Sequence, residues 1–291
     1  MGKKSKNPFV LFTKSLYLQK ETTFHILKQL MNTPVKTLNN SIAKAFDLLE
    51  HFTLDKPEWG VRELALKLGA NKSTTYRLMA TLESMRVLKK DPLTERYRLG
   101  LKLFELGNRV QIQRALVSQT HPELAKVVAE ITETVHLGIL KNHQVFMVDK
   151  IEGPRGLSLN SVIGRYSPAY CSGLGKVLLA HIAPAKKEEV LAAIRLVSHT
   201  PFTITSQASL KKELTKIRKL GYAIDRQESE IGLICVAVPV FNQNKQVIAA
   251  LSAAGPANRF REEAIDDYVA ILKKGATAIR HKIGNFQTEN I

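Results

Sequence analysis

Hydrophobic residues in the first third of the chain recur at helical spacing, and this pattern predicts three short helices. The first runs from Ser41 to Phe52, and the second runs from Val61 to Leu68, where Gly69 is typical of a left-handed helix cap. The third runs from Asn71 to Met85, with Asn71 as its expected N-cap. Its apolar residues share one side of the helix: Leu78, Met79, Leu82 and Met85.

The opposite side of the third helix carries side chains unlike those of an ordinary solvated face. It presents short hydroxyls, an aromatic ring and two cations, namely Lys72, Ser73, Tyr76 and Arg77, with the small Ala80 leaving clearance. Such a face suits close approach to a polyanion with readable edges, although the polar outer face of a helical bundle is an alternative. Helices two and three, joined by a short turn, predict a helix-turn-helix.

Two short segments with strand character follow the third helix. Val87–Lys90 and Arg96–Leu99 alternate around a turn-forming loop, which predicts a β-ribbon of the kind called a wing. The cations of the ribbon are Lys89, Lys90, Arg96 and Arg98. The ribbon therefore favours the groove-reading interpretation of the third helix.

The remaining chain changes from helical to strand periodicity and back. Leu101–Leu116 is predicted as a linking helix, and another helix is expected to start at His121 with Pro122 in its first turn. A mostly antiparallel sheet covered on one face by helices is expected thereafter, which makes the fold class α+β. Its predicted strands are 135–140, 145–149, 157–162, 222–226, 234–241 and 246–254, and its helices begin near residues 173, 186, 210 and 261.

Charge is concentrated in the part of the chain that holds the predicted helix-turn-helix. The 291 residues include 43 Lys and Arg against 26 Asp and Glu, a formal charge of +17. Residues 1–110 hold 20 basic and 10 acidic side chains, whereas the longer remainder holds 23 and 16. An excess on this scale favours a nucleic acid or an acidic surface as partner.

Cysteine usage and hydropathy limit the compartment. The two cysteines form no disulfide framework, and no run of 18 apolar residues predicts a membrane span. A cytoplasmic protein is expected.

The expected domains are a basic, disordered extension over 1–38, a winged helix-turn-helix over 39–100, a linker helix over 101–120 and a second domain over 121–285. Translation starting at Met31 would remove most of the extension, and intact mass would test this.

The second domain offers weak signals for enzymatic chemistry. Gly173-Leu174-Gly175-Lys176 lacks the spacing of a phosphate-binding loop, and a tight turn before a helix explains it. Cys235 with His136 or His181 as base would make a hydrolase or isomerase for small acids, the main alternative function. No nucleophile elbow or metal-ligand spacing is present, so no catalytic residue, cofactor or metal is predicted. A purely structural protein would leave the basic wing unexplained.

Several motifs in one register resemble the IclR family of bacterial transcription regulators. The similarity runs from about Leu38 to Ile283. The N-terminal motifs are Lys72-Ser73-Thr74, Arg77-Leu78 and Arg96-Tyr97-Arg98-Leu99-Gly100. The C-terminal ones are 134–137, 163–165, 172–176, 221–225, 232–237 and 251–256.

The resemblance implies a DNA-binding domain, a linker helix used in dimer formation and a GAF-like effector domain. Family members are dimers or tetramers that bind small organic acids. The pocket residues it implies are Asn160, Ser161, Cys171, Gly173, Leu174, Asp225, Cys235, Ser252 and Ala254. Some members have serine where this chain has Ala254, so one ligand hydrogen bond is expected to be absent.

The resulting hypothesis is a DNA-binding regulator, with a repressor favoured, controlled by a small organic acid. Phosphates are expected to meet Lys72 and the four wing cations. Base edges are expected to meet the third helix, with Arg77 favoured for guanine. The helix residues predicted to contact DNA are Lys72, Ser73, Thr74, Thr75, Tyr76 and Arg77.

Overall fold

The structure is a computed structural model that describes residues 39–110, 116–155 and 161–284. The chain divides into two compact units at the junction between residues 110 and 111. The predicted N-terminal extension and the alternative start at Met31 lie outside the described residues. Within the described ranges, no helix is long and apolar enough to cross a membrane.

The first unit has helices packed beside a small antiparallel sheet of strand order β1-β3-β2. The core is formed by Leu48, Leu64, Met79 and Tyr97, each no more than 1% exposed. Its elements are α1 (Asn40–Glu50), β1 (Glu58–Trp59), α2 (Val61–Leu68), α3 (Lys72–Ser84), β2 (Leu88–Lys90), β3 (Tyr97–Leu99) and α4 (Leu101–Gly107). The predicted three helices and the two ribbon strands are confirmed, and the two-residue strand β1 is an addition.

Helix ends in the first unit follow local signals in the sequence. The Asn39 side chain accepts hydrogen bonds from the Ser41 and Ile42 amides at the start of α1. Gly69 ends α2 at a φ of 60°, a left-handed conformation that a side chain would strain. Asn71 stands at the N-cap of α3, but its side chain makes no capping hydrogen bond. Met85 was expected on the apolar stripe but follows the end of α3 and is 59% exposed.

The second unit is built on a six-stranded sheet in which every strand pairs antiparallel, in the order β6-β5-β4-β9-β8-β7. The helices are α5 (Ser118–Ile131), α6 (Gly173–Ala180), α7 (Pro184–Ala193), α8 (Gln207–Leu220) and α9 (Ile265–Ile283). The strands are β4 (Thr134–Lys141), β5 (Gln144–Ile151), β6 (Tyr166–Pro168), β7 (Ala223–Arg226), β8 (Leu233–Phe241) and β9 (Val247–Pro256).

Helices cover both faces of this sheet, so the expectation of a single covered face was wrong. Val135 and Leu137 of β4 pack in the cluster that contains α5 and α9, whereas Ala237 of β8 and Ala250 of β9 pack against α6 and α8. The long strands are therefore buried along almost their whole length. Their continuous apolar sequence is typical of strands covered on two sides.

Three predicted boundaries differ from the structure. The helix that starts at Leu101 ends at Gly107, and residues 111–115 of the predicted linker lie outside the described ranges. Helix α5 begins at Ser118, before Pro122. Of the strand predicted at 157–162, residues 157–160 are outside the described ranges, and Ser161 and Val162 are not in a strand. The edge strand Tyr166–Pro168 is found instead.

Candidate functional site

The exposed face of α3 carries most of the residues predicted to contact bases. Lys72, Ser73, Thr74 and Arg77 are exposed, and the Tyr76 ring is 53% exposed. The face follows from helical spacing, because Met79 and Leu82 direct the other side of α3 into the core. The helix therefore presents hydroxyl, phenol, ammonium and guanidinium groups side by side.

Thr75 is the exception, and its prediction as a DNA contact is corrected. The residue is fully buried, and its hydroxyl donates to the Asn71 carbonyl oxygen at 3.1 Å. It lies four residues before Met79, on the stripe that faces the core. Thr75 therefore stabilises the first turn of α3 and cannot meet a base edge.

Two wing cations stand opposite each other on neighbouring strands. Lys89 of β2 pairs in register with Arg98 of β3, and both side chains are exposed. In the described part of the chain, neither forms a salt bridge with an acidic side chain. Like charges directly opposite on an antiparallel pair destabilise it, so this pair favours an anionic partner outside the protein.

The other two wing cations are engaged within the protein. The Arg96 guanidinium donates to Glu63 at 2.8 Å and to the Glu58 carbonyl oxygen at 3.2 Å, and it thereby links the wing to α2 and β1. The hydrogen bond from Lys56, followed by that from Arg96, lowers the pKa of Glu63. The Lys90 ammonium donates to Glu95 at 2.7 Å. These contacts position the wing and reduce the charge that Lys90 and Arg96 offer to a phosphate.

In the second unit, the register brings predicted effector residues into two adjacent rows on one face of the sheet. Asp225, Cys235, Ala254 and Thr134 are successive partners across β7, β8, β9 and β4. The next row contains Ala237, Ser252, His136 and Lys150, across β8, β9, β4 and β5. Residues far apart in sequence therefore form one surface.

The first turn of α6 packs on this surface. A Cβ atom at Gly173 would lie 2.9 Å from the Cys235 Sγ atom, so only glycine allows this approach. The Leu174 side chain extends over Gly138 of β4, and Ser172 caps the helix through the Gly175 amide at 3.2 Å. Cys171, Leu174, Cys235 and Ala254 are all buried.

Ser252 has an unsatisfied hydroxyl group at the centre of this surface. The residue is fully buried, and its Oγ atom has no hydrogen-bond partner among the described residues. It lies near enough to the Cys235 thiol to affect the pKa of that group, but the pair does not meet hydrogen-bond geometry. A buried hydroxyl without a partner is costly, and a ligand group that bonded to it would remove this cost.

Asp225 holds a turn together at one end of the surface. Its carboxylate accepts from the Glu228 amide at 2.7 Å and from the Ser229 hydroxyl at 2.5 Å. Burial raises the pKa of this carboxyl, and these hydrogen bonds oppose the rise. Asp225 was predicted to lie at the end of a strand and to face the interior, and it is buried there.

Ser161 is held at the other end of the surface, and Asn160 lies outside the described residues. The Ser161 hydroxyl and the His136 Nε2 atom are 2.8 Å apart, and the Lys150 ammonium donates to the Ser161 carbonyl oxygen at 3.1 Å. Burial, followed by the charge of Lys150, lowers the pKa of His136 to about 3. The imidazole is therefore neutral at physiological pH.

Lys176 is a buried cation that the sequence-based prediction did not assign. Its ammonium donates to the Ile224 carbonyl oxygen at 2.7 Å and to the Glu228 carboxylate. It thus ties α6 to β7 and to the turn that holds Asp225. All eight residues of α6 are buried, and a lysine inside such an apolar helix was the available signal.

The enzyme alternative does not fit these groups. Burial, followed by the charge of Asp225, raises the pKa of Cys235 to about 12, so the thiol stays protonated at neutral pH. His136 is bonded to Ser161, and the Nδ1 atom of His181 is 2.9 Å from the Val177 carbonyl oxygen. Neither histidine activates the thiol, and the raised pKa is opposite to what a nucleophile needs.

Two surface cavities of the second unit lie apart from the predicted effector residues. One, of about 210 Å³, is lined by residues that include Leu178, His181 and Val247, and the other lies on α8 around Lys212 and Lys216. The described residues contain no cluster of three metal-ligating side chains. The two rows of the sheet, with the unsatisfied Ser252, remain the candidate ligand site.

The fold and these surfaces define a class: a winged helix-turn-helix protein that binds DNA and carries a separate ligand-binding domain. A family model for the IclR helix-turn-helix domain matches residues 41–92, and one for the C-terminal domain of the bacterial transcriptional regulator IclR matches residues 110–281. The chain belongs to the IclR family of bacterial transcriptional regulators, and it is a regulator and not an enzyme.

Known proteins similar to this chain agree with that family. The HTH-type transcriptional regulator KdgR of Escherichia coli is 35% identical, over 84% of this chain and 93% of its own. The solved IclR of Thermotoga maritima is 34% identical, with a TM-score of 0.71, over 84% of this chain and 99% of its own. An IclR homolog of Microbacterium hydrocarbonoxydans, solved with 4-hydroxybenzoate, is 25% identical, with a TM-score of 0.76, over 84% and 99%.

Proposed function

We propose that α3 reads an operator sequence in the major groove while the wing neutralises phosphates beside it. The observation that carries this proposal is the exposed, unbalanced pair of cations Lys89 and Arg98, on a ribbon whose strand β2 contacts α3. Arg77 is assigned to a guanine, because its planar guanidinium matches the O6 and N7 acceptors. Lys72 joins the wing cations in contacting phosphates.

We further propose that a small organic acid binds on the two rows of the sheet and changes the affinity for DNA. The buried, unpaired Ser252 hydroxyl supports this, as does the bound 4-hydroxybenzoate of the Microbacterium relative. In this chain Ala254 offers no hydroxyl beside Cys235, so the acid makes its hydrogen bonds through Ser252 and its neighbours. The protein acts in the cytoplasm, where its DNA partner lies.

We propose that the protein binds DNA as a homodimer or a homotetramer. Large apolar side chains are exposed on α1 and α4 of the winged unit: Ile42, Phe46, Leu101 and Phe104 are 58–79% exposed. Exposed apolar patches of this kind are typical of protein–protein interfaces. A dimer also matches the two half-sites that helix-turn-helix proteins commonly bind.

Footprinting of the DNA upstream of the chain's own gene tests the proposal. We expect a protected segment with two half-sites, and we expect its protection to change when a panel of organic acids that includes 4-hydroxybenzoate is added. Loss of protection with an acid indicates a repressor released by its ligand. The DNA-binding proposal would be overturned if the protein protected no part of that DNA and retained no specific fragment from a genomic library.

A further inference from the structure

A cavity of about 210 Å³ lies at the end of α6 that is remote from the candidate effector site. On β4, His136 belongs to the effector site, the Leu174 side chain covers Gly138, and Leu140 lines the cavity. Four residues of a strand span about 13 Å, so the cavity and the row that contains His136 are separate places. The Leu174 side chain stands between them.

The walls of this cavity are mostly apolar. Leu140, Leu178, Val190 and Val247 line it from four different elements, which are β4, α6, α7 and β9. Three of these side chains are only partly buried, the exception being Leu178, so a ligand there would bury apolar surface that now meets water. An apolar cavity of about 150 Å³ holds a benzene ring, so this one has room for a chain of about six carbons.

The charged groups around the cavity are cations. Lys186 of α7 lines it and is exposed, and none of the described lining residues is acidic. Burial lowers the pKa of His181, another lining residue, and the positive charges of Arg218 and Lys187 lower it further. A negative charge at the mouth of the cavity would therefore be attracted to it.

The His181 ring is a fixed part of the wall. Its Nδ1 atom is 2.9 Å from the Val177 carbonyl oxygen, which only accepts, so Nδ1 carries the proton of the neutral ring and Nε2 is an acceptor. The ring also stands edge-on to Phe241, with 5.7 Å between the ring centroids. An acceptor does not bind a carboxylate, which leaves the Lys186 ammonium as the group that can hold one.

We propose that this cavity is a second ligand site, which takes a short apolar monocarboxylate with its chain against Leu178 and Val247 and its carboxylate beside Lys186. The site is distinct from the proposed effector site, and the inference does not rest on it. Both sites contact α6, whose first turn packs on Cys235 and whose last turn contributes Leu178 to the cavity.

A series of straight-chain acids tests the size and polarity of the cavity. Acetate, butanoate, hexanoate, octanoate and decanoate are titrated calorimetrically into the full-length protein at up to about 10 mM. Each added CH₂ group should tighten binding about fourfold as far as hexanoate, and decanoate should bind no more tightly than octanoate. Absence of hexanoate binding, equal affinity for acetate and hexanoate, or affinity that still rises from octanoate to decanoate would overturn the inference.

Reversal of the charge at the mouth tests where the acid binds. In the unaltered protein, 1-hexanol should bind about fivefold more weakly than hexanoate, and hexylamine, a cation at neutral pH, more weakly still. Lys186→Glu should reverse this order, so that hexylamine binds more tightly than hexanoate. The variant is expected to fold, because residue 186 is exposed and lies in the first turn of α7, where an acidic side chain is favourable.

A matched control and a second variant complete the test. Lys212→Glu makes the same charge change beside the other cavity, on α8, and should leave the preference for hexanoate unchanged. Val190→Phe should weaken hexanoate binding at least about tenfold, because the added ring occupies the space of the chain. An unchanged order of affinities in Lys186→Glu, or full affinity for hexanoate in Val190→Phe, would place the acid elsewhere and overturn the inference. The DNA footprint without acid is independent of these outcomes.

Discussion

At the scale of single residues, the cations of the winged unit divide into those that hold the protein together and those that face outward. Arg96 and Arg98 are two residues apart on the same ribbon, yet Arg96 bonds to Glu63 and Glu58, whereas Arg98 stands beside Lys89. From their spacing in the sequence, both arginines were expected to contact DNA phosphates. The difference comes from Glu63, which is more than thirty residues away and meets Arg96 only in the folded unit.

Replacing each arginine by methionine should separate these roles. Arg96→Met is expected to destabilise the winged unit by about 1 kcal/mol, since a partly exposed ion pair and a carbonyl contact are lost. Arg98→Met is expected to raise stability slightly, because its repulsion of Lys89 is removed, and to reduce the slope of log affinity against log salt by about one. Urea unfolding and DNA binding across a salt series measure the two effects, and equal effects of both variants would contradict the assignment.

At the scale of elements, periodicity predicted most helices and strands, and its failures have local causes. Thr75 occupies the same stripe as Met79 and Leu82, so its burial could have been read from spacing, but its hydroxyl suggested a contact with DNA. The strand β1 has only two residues, too few for a pattern. The second covered face of the sheet was missed although β8 and β9 are apolar throughout, which indicates burial on both sides.

The junction between α6 and the sheet depends on glycine, and substitution there tests the packing. A Cβ atom at Gly175 would lie 2.2–2.5 Å from backbone atoms of Ala169. Gly175→Ala should therefore lower the free energy of unfolding by about 3 kcal/mol or more, because backbone cannot move aside as a flexible side chain can. Gly107→Ala is the control, since no atom lies within 4 Å of the added Cβ there. A stable Gly175→Ala variant would contradict the described packing.

At the scale of the whole molecule, the sequence predicted the two kinds of unit better than it predicted the site within the second. The basic segment with helical spacing and a ribbon is local in sequence, so the DNA-binding unit could be inferred from its pattern. The candidate effector site is assembled from five strands, and only the register brings Ser252 beside His136 and Lys150. The apolar helix around Lys176 signalled its burial, but the partners of Lys150 and Lys176 could not be read from sequence because they come from other segments of the chain.

The central claim is that α3 reads base edges while the wing contacts phosphates. Affinities of Arg77→Ala and Lys89→Met for the operator and for each of its single-base variants test it most directly. We predict that Arg77→Ala costs about 1–3 kcal/mol on the operator and removes discrimination at one base pair, whereas Lys89→Met weakens every sequence alike. Uniform weakening of all variants by Arg77→Ala would show that Arg77 contacts phosphate and would contradict the account.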